Sequence, residues 1–284
     1  MTTLEVHALD AGYAFLPKKL LFNDTTPANA DIVEKFPAHF FHLHHPGKSL
    51  HILWDAGIRN DTSAYPPSMQ ATFEAFLRPC VPEDAPTGLS RNGVTPESID
   101  YLFCSHAHFD HTGDPEKFPN AKIVYGAGTQ AHVRPAYPIN PESRFLESLF
   151  PEGRTLELTK GDFKPTEGLA PWDAACDFFG DGSFLLIDAP GHMPGHTIAL
   201  ARVEGGCLLL GGDSCHCEAH LKEYVPGGRM GFGMHKDADR TRENISKIVE
   251  FAKARGDVRI CLAHVGTYKD WEKVVVRQGE GVML

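Results

Sequence analysis

Ile99-Asp-Tyr-Leu-Phe-Cys104 runs without a break into Ser105-His-Ala-His-Phe-Asp-His111, and the reading of this stretch decides the fold. A short apolar run closed by a polar cluster is the pattern of a buried strand that delivers a loop to one edge of a sheet. Here the loop carries His106, His108, Asp110 and His111. Imidazole and carboxylate are donors that suit zinc, iron and similar ions, and a turn lets alternating side chains converge on neighbouring points. One histidine in a loop is usually a solvated residue. Four donors packed this closely after a strand read as a metal site.

The same arrangement recurs along the chain. Leu50-His-Ile-Leu-Trp54 ends in Asp55-Ala-Gly57, Phe184-Leu-Leu-Ile187 in Asp188-Ala-Pro-Gly-His-Met-Pro-Gly-His196, Cys207-Leu-Leu-Leu210 in Gly211-Gly-Asp213, and Val258-Arg-Ile-Cys-Leu262 in Ala263-His264. A lone histidine at a strand end more often bonds a backbone carbonyl than a metal, but successive strands that all finish on His or Asp are not explained by turn chemistry. Adding His196, Asp213 and His264 to the first cluster gives more donors than one tetrahedral ion accepts, and a number suited to two ions sharing a carboxylate. His192, four residues before His196, reads as structural or pocket-lining, and Cys215 and Cys217 are set aside as ligands because the donor set is complete without them. Asp55 has two readings: a carboxylate that fixes the tautomer of a ligand imidazole, or a turn former ahead of Ala-Gly.

Between these strands, Ile245, Ile248, Val249 and Ala252 give the spacing of a helix with one buried face over residues 239–255. Helices are also expected over 69–77 and 142–150, with Thr95 as the cap of one that starts at Pro96. His42, His44, His45 and His51 fall in a hairpin and read as its solvated surface. With 284 residues, 42% hydrophobic and 23% charged, and no repeat or low-complexity linker, the chain is expected to form a single domain over 1–284. A net charge of −10 disfavours a nucleic-acid partner that relies on a basic surface. No long apolar window and no basic leader followed by an apolar stretch point to a cytoplasmic protein with no membrane partner. Seven cysteines, several inside apolar runs, do not make a disulfide framework in a chain of this size.

The His-x-His-x-Asp-His pattern at 106–111 resembles the signature of the metallo-β-lactamase superfamily. Leu53-Trp-Asp-Ala-Gly57, Pro194-Gly-His-Thr197, Leu210-Gly-Gly-Asp213 and Ala263-His264 are similar to further motifs of that family, in the same order along the chain. The resemblance implies an α/β (α+β) fold, a four-layer αββα sandwich. It also implies two divalent metal ions, zinc first, with manganese or iron as the other candidates: His106, His108 and His196 on one, Asp110, His111 and His264 on the other, and Asp213 bridging.

Within the superfamily, the stretches Ser105–Gly113 and Ala189–Thr197 resemble the N-acyl homoserine lactonases most. Those enzymes place a tyrosine three residues after the bridging Asp, whereas this chain has His216. Fungal relatives of this branch, described as γ-lactamases, open the cyclic carbamate of benzoxazolinones. The implied activity is hydrolysis of a small cyclic ester, lactam or cyclic carbamate, a small-molecule substrate. Asp110 or His216 is then expected to handle the leaving-group proton, with Phe109, Leu21 and Phe22 walling the substrate pocket. The alternatives are a thioesterase or a mono-iron persulfide dioxygenase on the same fold, or a member that keeps metal without turnover. Oligomeric state is not read from the sequence.

Overall fold

The computed structural model describes residues 2–222, 230–266, 268 and 272–276. Its strands are β1 Glu5–Pro17, β2 Val33–His45, β3 Leu50–Trp54, β4 Ile99–Phe103, β5 Lys122–Tyr125, β6 Thr155–Glu157, β7 Lys164–Pro165, β8 Ala174–Asp177, β9 Phe184–Asp188, β10 Thr197–Val203, β11 Gly206–Leu210, β12 Val258–Cys261 and β13 Glu272–Lys273. They form two sheets, ordered β13-β1-β2-β3-β4-β5-β6 and β12-β11-β10-β9-β8-β7. The first is antiparallel from β13 to β3 and parallel from β3 to β6. The second is antiparallel apart from the parallel pair β11 and β12. Both sheets are apolar on both faces, which explains why their strands read as continuous apolar runs rather than as alternating ones.

Alternation along each strand sorts the side chains into three cores. Ile52 and Trp54 of β3 and Phe103 of β4 point inward to meet Phe184, Leu186, Leu208 and Leu210 of the second sheet. Their neighbours Leu53 and Leu102 point the other way, against Met69, Phe73 and Leu89 outside the first sheet. On the far side, Ile187, Leu209 and Ile260 pack on Ile245, Ile248, Phe251 and Ala252 of the helix Ala238–Ala254. Helix, sheet, sheet and helix therefore stack as a four-layer αββα sandwich. Each large apolar side chain buried on the helix stabilises the stack by about 1.5–3 kcal/mol, and Asp237 caps the helix by accepting from the Arg240 N–H at 3.1 Å.

Residues 67–77 are helical, but the last turn, Phe73–Leu77, is wound as a π-helix. The expected helix over 142–150 does not form, and only the single 3-10 turn Glu147–Leu149 is helical there. Local side-chain bonds compete with the helix: Asn140 Oδ1 accepts from the Glu142 N–H, and Ser143 Oγ accepts from the Phe145 N–H. Pro96 begins a 3-10 turn as expected at Thr95, whose side chain makes no capping bond. The β2–β3 hairpin histidines also depart from expectation, since His42 and His45 are buried. His42 hydrogen-bonds His51 at 2.9 Å, and His45 reaches Asp181 at 2.9 Å. Among the described residues, no helix is long and apolar enough to cross a membrane.

Candidate metal centre

The C-terminal ends of β4, β9, β11 and β12 open on one edge of the sandwich, and every candidate donor lies on the loops that leave them. After β4 the chain turns at Cys104–His108 and enters the short helix Phe109–Thr112, which presents Asp110 and His111. Asp213 follows β11 after Gly212, whose φ of +48° favours glycine and whose added Cβ would stand 2.9 Å from His196 Nε2. His264 follows β12, and its ring N–H donates to the Pro37 carbonyl at 2.7 Å.

The donors fall into two groups around Asp213. On one side His106 Nε2 is 2.9 Å from His108 Nδ1, which is 2.9 Å from His192 Nε2. Asp213 Oδ2 faces this group, 3.7 Å from His106 Nε2 and 3.4 Å from His192 Nε2. On the other side Asp213 Oδ1 lies 3.2 Å from His111 Nε2 and 3.0 Å from His264 Nε2, while Asp110 stands 3.9 Å and 3.6 Å from the same two nitrogens. His106, His108, His192 and Asp213 make one compact set of donor atoms; Asp110, His111 and His264 make another.

His196, assigned to the first ion from the sequence, lies beside these two compact sets and in neither of them. Its Nδ1–H donates to the Ala189 carbonyl at 2.9 Å, and its Nε2 accepts the Asp213 N–H at 3.1 Å. His192, read from the sequence as structural or pocket-lining, stands in the first set. His235 was missed altogether: its Nδ1 is 3.2 Å from His192 Nδ1, and with His192 and His216 it forms a third compact donor group. His216 lies with Nε2 3.3 Å from Asp213 Oδ2.

The carboxylate of Asp55 ties the loop down. Its Oδ1 accepts the Ser105 N–H at 2.6 Å, and its Oδ2 accepts the Ser105 hydroxyl and the His111 Nδ1–H, each at 2.9 Å. That last bond leaves His111 Nε2 turned toward Asp213. Asp55 itself sits at φ +59°, a left-handed conformation that Asp adopts more readily than most residues. Both readings of Asp55 thus describe the same residue.

Electrostatics follow from burial. Burial, reinforced by neighbouring imidazoles, pushes His106 and His192 well below the ordinary histidine pKa and His108 down to about 4, so these rings are neutral and able to donate lone pairs. Burial works the same way on His111 and His264, but the negative charge of Asp213 overcomes it and holds both above the usual value. Asp213 in turn is kept well below the carboxylate range by His264, His111 and His216 despite its burial. His111 Nε2 and Asp213 Oδ1 are buried and complete no hydrogen bond. Orphaned buried donor atoms of this kind, facing one another across short gaps in an all-imidazole and carboxylate set, fit divalent cations.

The centre forms the floor of a cavity of about 310 Å³. Phe109, Phe36, Met69, Phe76, Phe145 and Met234 line it, together with His108, His192, His216 and His235. Leu21 and Phe22, expected in its wall, are not lining residues. Leu21 is buried in the core outside the first sheet, and Phe22 packs edge-on against His220.

Comparison with known proteins agrees with this architecture. The family model described as the metallo-beta-lactamase superfamily matches residues 47–251. Gamma-lactamase MBL2 of Gibberella moniliformis is 37% identical over 62% of this chain and 73% of its own length. Metallo-hydrolase mfmC of Annulohypoxylon moriforme is 35% identical over 63% of this chain and 49% of its own length, so the chain spans about half of that relative. A solved N-acyl homoserine lactone hydrolase, with the product N-hexanoyl-L-homoserine bound at its catalytic metal centre, superposes with a TM-score of 0.70 over 93% of this chain and 94% of its own, at 20% identity. At that identity the likeness is one of fold.

Proposed function

This chain belongs to the metallo-β-lactamase superfamily, and from that premise we propose that it is a dinuclear metal-dependent hydrolase, one domain over its length, that opens a small cyclic ester, lactam or cyclic carbamate. The observation that carries the reading is the division of the Asp213 carboxylate, one oxygen turned to His106 and His192 and the other to His111 and His264, at the floor of a largely apolar cavity. A gamma-lactamase among the relatives and a lactone hydrolase among the structural neighbours support a cyclic acyl substrate.

His106, His108 and His192 would hold one ion, Asp110, His111 and His264 the other, with Asp213 between them; zinc suits this donor set best. Two such ions, when bound, supply an activated water near neutral pH and polarise an acyl carbonyl. The protein's own groups do the rest. Asp55 and the Pro37 carbonyl orient His111 and His264, so their Nε2 atoms face Asp213. Phe109 and the other apolar lining residues exclude bulk water from the ring of the substrate. His216 faces the cavity within 3.3 Å of Asp213, where its imidazole can pass a proton to the leaving oxygen or nitrogen; Asp110 is the other group placed to move it.

A screen of purified protein loaded with zinc or manganese against homoserine lactones, benzoxazolinones, simple lactams and thioesters tests this reading. Ring opening with two metals per chain is the expected result. One iron per chain with oxygen consumption, or two metals and no hydrolysis of any of these substrates, would overturn it.

A further inference from the structure

The cavity above the donor cluster is not apolar throughout. Arg144 and Lys236 also line it, both are exposed, and neither is paired with a carboxylate among the described residues. Some cations elsewhere take acidic partners, as Arg59 does with Asp114, Arg91 with Glu83 and Lys18 with Glu34. In a chain with 37 acidic and 27 basic residues, two cations without an acidic partner in the same cavity run against the overall balance.

Neutral groups hold the Arg144 side chain in place. Arg144 Nε donates to Met69 Sδ at 3.4 Å and Nη2 to Thr72 Oγ1 at 3.3 Å, which orients the guanidinium without neutralising it. Lys236 is fixed through its backbone: its N–H donates to the His192 carbonyl at 3.0 Å, and the next N–H, of Asp237, donates to the Gly191 carbonyl at 2.9 Å. The ammonium thus springs from a residue bonded directly to the donor loop. The ring of His132 stands 6.3 Å from that of Phe145, the neighbour of Arg144, and Lys236 adds to burial in holding the His132 pKa down. Arg144 and Lys236 both belong to the lining of the one cavity.

A wholly neutral substrate would cover these charges and return nothing for their lost hydration. We propose that the cavity recognises a carboxylated ring compound, its apolar body against Phe36, Met69, Phe76 and Phe145, its carboxylate between Arg144 and Lys236, and its scissile carbonyl toward Asp213. The proposal deepens the hydrolase reading and rests on it for the scissile bond, but the anion site can be tested separately.

Two γ-lactones with side chains of equal length, one ending in methyl and the other in carboxylate, are compared as substrates of the zinc-loaded chain. The wild type is expected to favour the carboxylate by about tenfold or more in kcat/KM, and Arg144→Gln and Lys236→Gln each to lower that value about tenfold more than the value for the methyl lactone. Equal use of the two lactones by the wild type, or an equal effect of the substitutions on both, would overturn the proposal. A second arm measures octanoate binding to the same zinc-loaded proteins by calorimetry. Weaker binding in both variants supports the anion site; equal binding in all three, as direct ligation to metal alone would give, overturns it. If neither these lactones nor any benzoxazolinone, lactam or thioester is opened while octanoate binding depends on Arg144 and Lys236, the hydrolase reading fails and the anion site stands.

Discussion

The main-chain N–H of Asp213 donates to Nε2 of His196 at 3.1 Å, so the residue proposed to bridge the centre is held through its backbone by a histidine of the neighbouring loop. The proposed function gives His192 and His196 different duties within that loop. His192→Ala is expected to lower metal content and cut activity by orders of magnitude. His196→Ala leaves the Ala189 carbonyl and the Asp213 N–H without partners, at about 1–3 kcal/mol each, and is expected to lower thermal stability while metal per chain is retained. Metal analysis beside a melting curve separates the two, and metal loss confined to the His196 variant would reverse the assignment.

Asp213→Ala removes the carboxylate that faces both donor sets. The variant is expected to fold, to bind less than two metals per chain and to lose activity. Full turnover in this variant would refute the bridging role.

Asp55 reaches the centre only through Ser105 and His111. Asp55→Asn keeps the side-chain volume and replaces a carboxylate acceptor with an amide. Metal affinity is expected to fall about 10–100-fold, the usual cost of losing the partner that orients a ligand imidazole, and a chelator competition assay reads this directly. Unchanged affinity would leave Asp55 with its turn alone.

The proposed function has His216 move a proton rather than hold metal. His216→Ala should reduce kcat by about 10²–10⁴ and leave metal stoichiometry at the wild-type level. A kcat equal to that of the wild type would reduce the residue to cavity lining.

Far from the centre, burial first and then the charges of His51, His7 and His44 push the His42 pKa from 6.5 to about 3. Between those values the unfolded chain binds a proton that the folded chain refuses. The stabilisation is complete above pH 6.5 and is lost as pH falls, on the order of 1 kcal/mol per pH unit from this group. His42→Gln should therefore flatten the fall of the urea midpoint between pH 7 and pH 4; an unaltered slope would assign the acid sensitivity elsewhere.

The strands and their donor-bearing ends were legible because parallel and doubly covered strands leave unbroken apolar runs, and because His106, His108, Asp110 and His111 sit together in sequence. Helix Ala238–Ala254 was legible for its 3.6-residue period. Residues 142–150 carried a similar spacing of apolar groups, but Asn140 and Ser143 offered the backbone nearer partners. The choice between His192 and His196 was not legible. Both stand in Pro-Gly-His repeats, and only the path of the loop decides which imidazole meets the Asp213 carboxylate and which its backbone N–H. His235 lies in a stretch without period or motif, so contact with His192 is the first sign of it. Leu21 and Phe22 had the right chemistry for a wall, and composition cannot say which wall.

The donors are shared between the layers: His106, His108, Asp110 and His111 leave the first sheet, while His192, Asp213 and His264 leave the second. Those sheets also meet along an apolar seam centred on Trp54, Phe103 and Phe184, with a few backbone bonds between them such as the Thr197 N–H to the Ser105 carbonyl at 2.8 Å and the His39 N–H to the Ala263 carbonyl at 3.1 Å. Cations at the edge would act as a pin across that seam. Metal affinity then becomes a gauge of interlayer slip, and a cavity-forming substitution at Phe184, which supplies no donor, would register first as weakened metal retention and only later as unfolding.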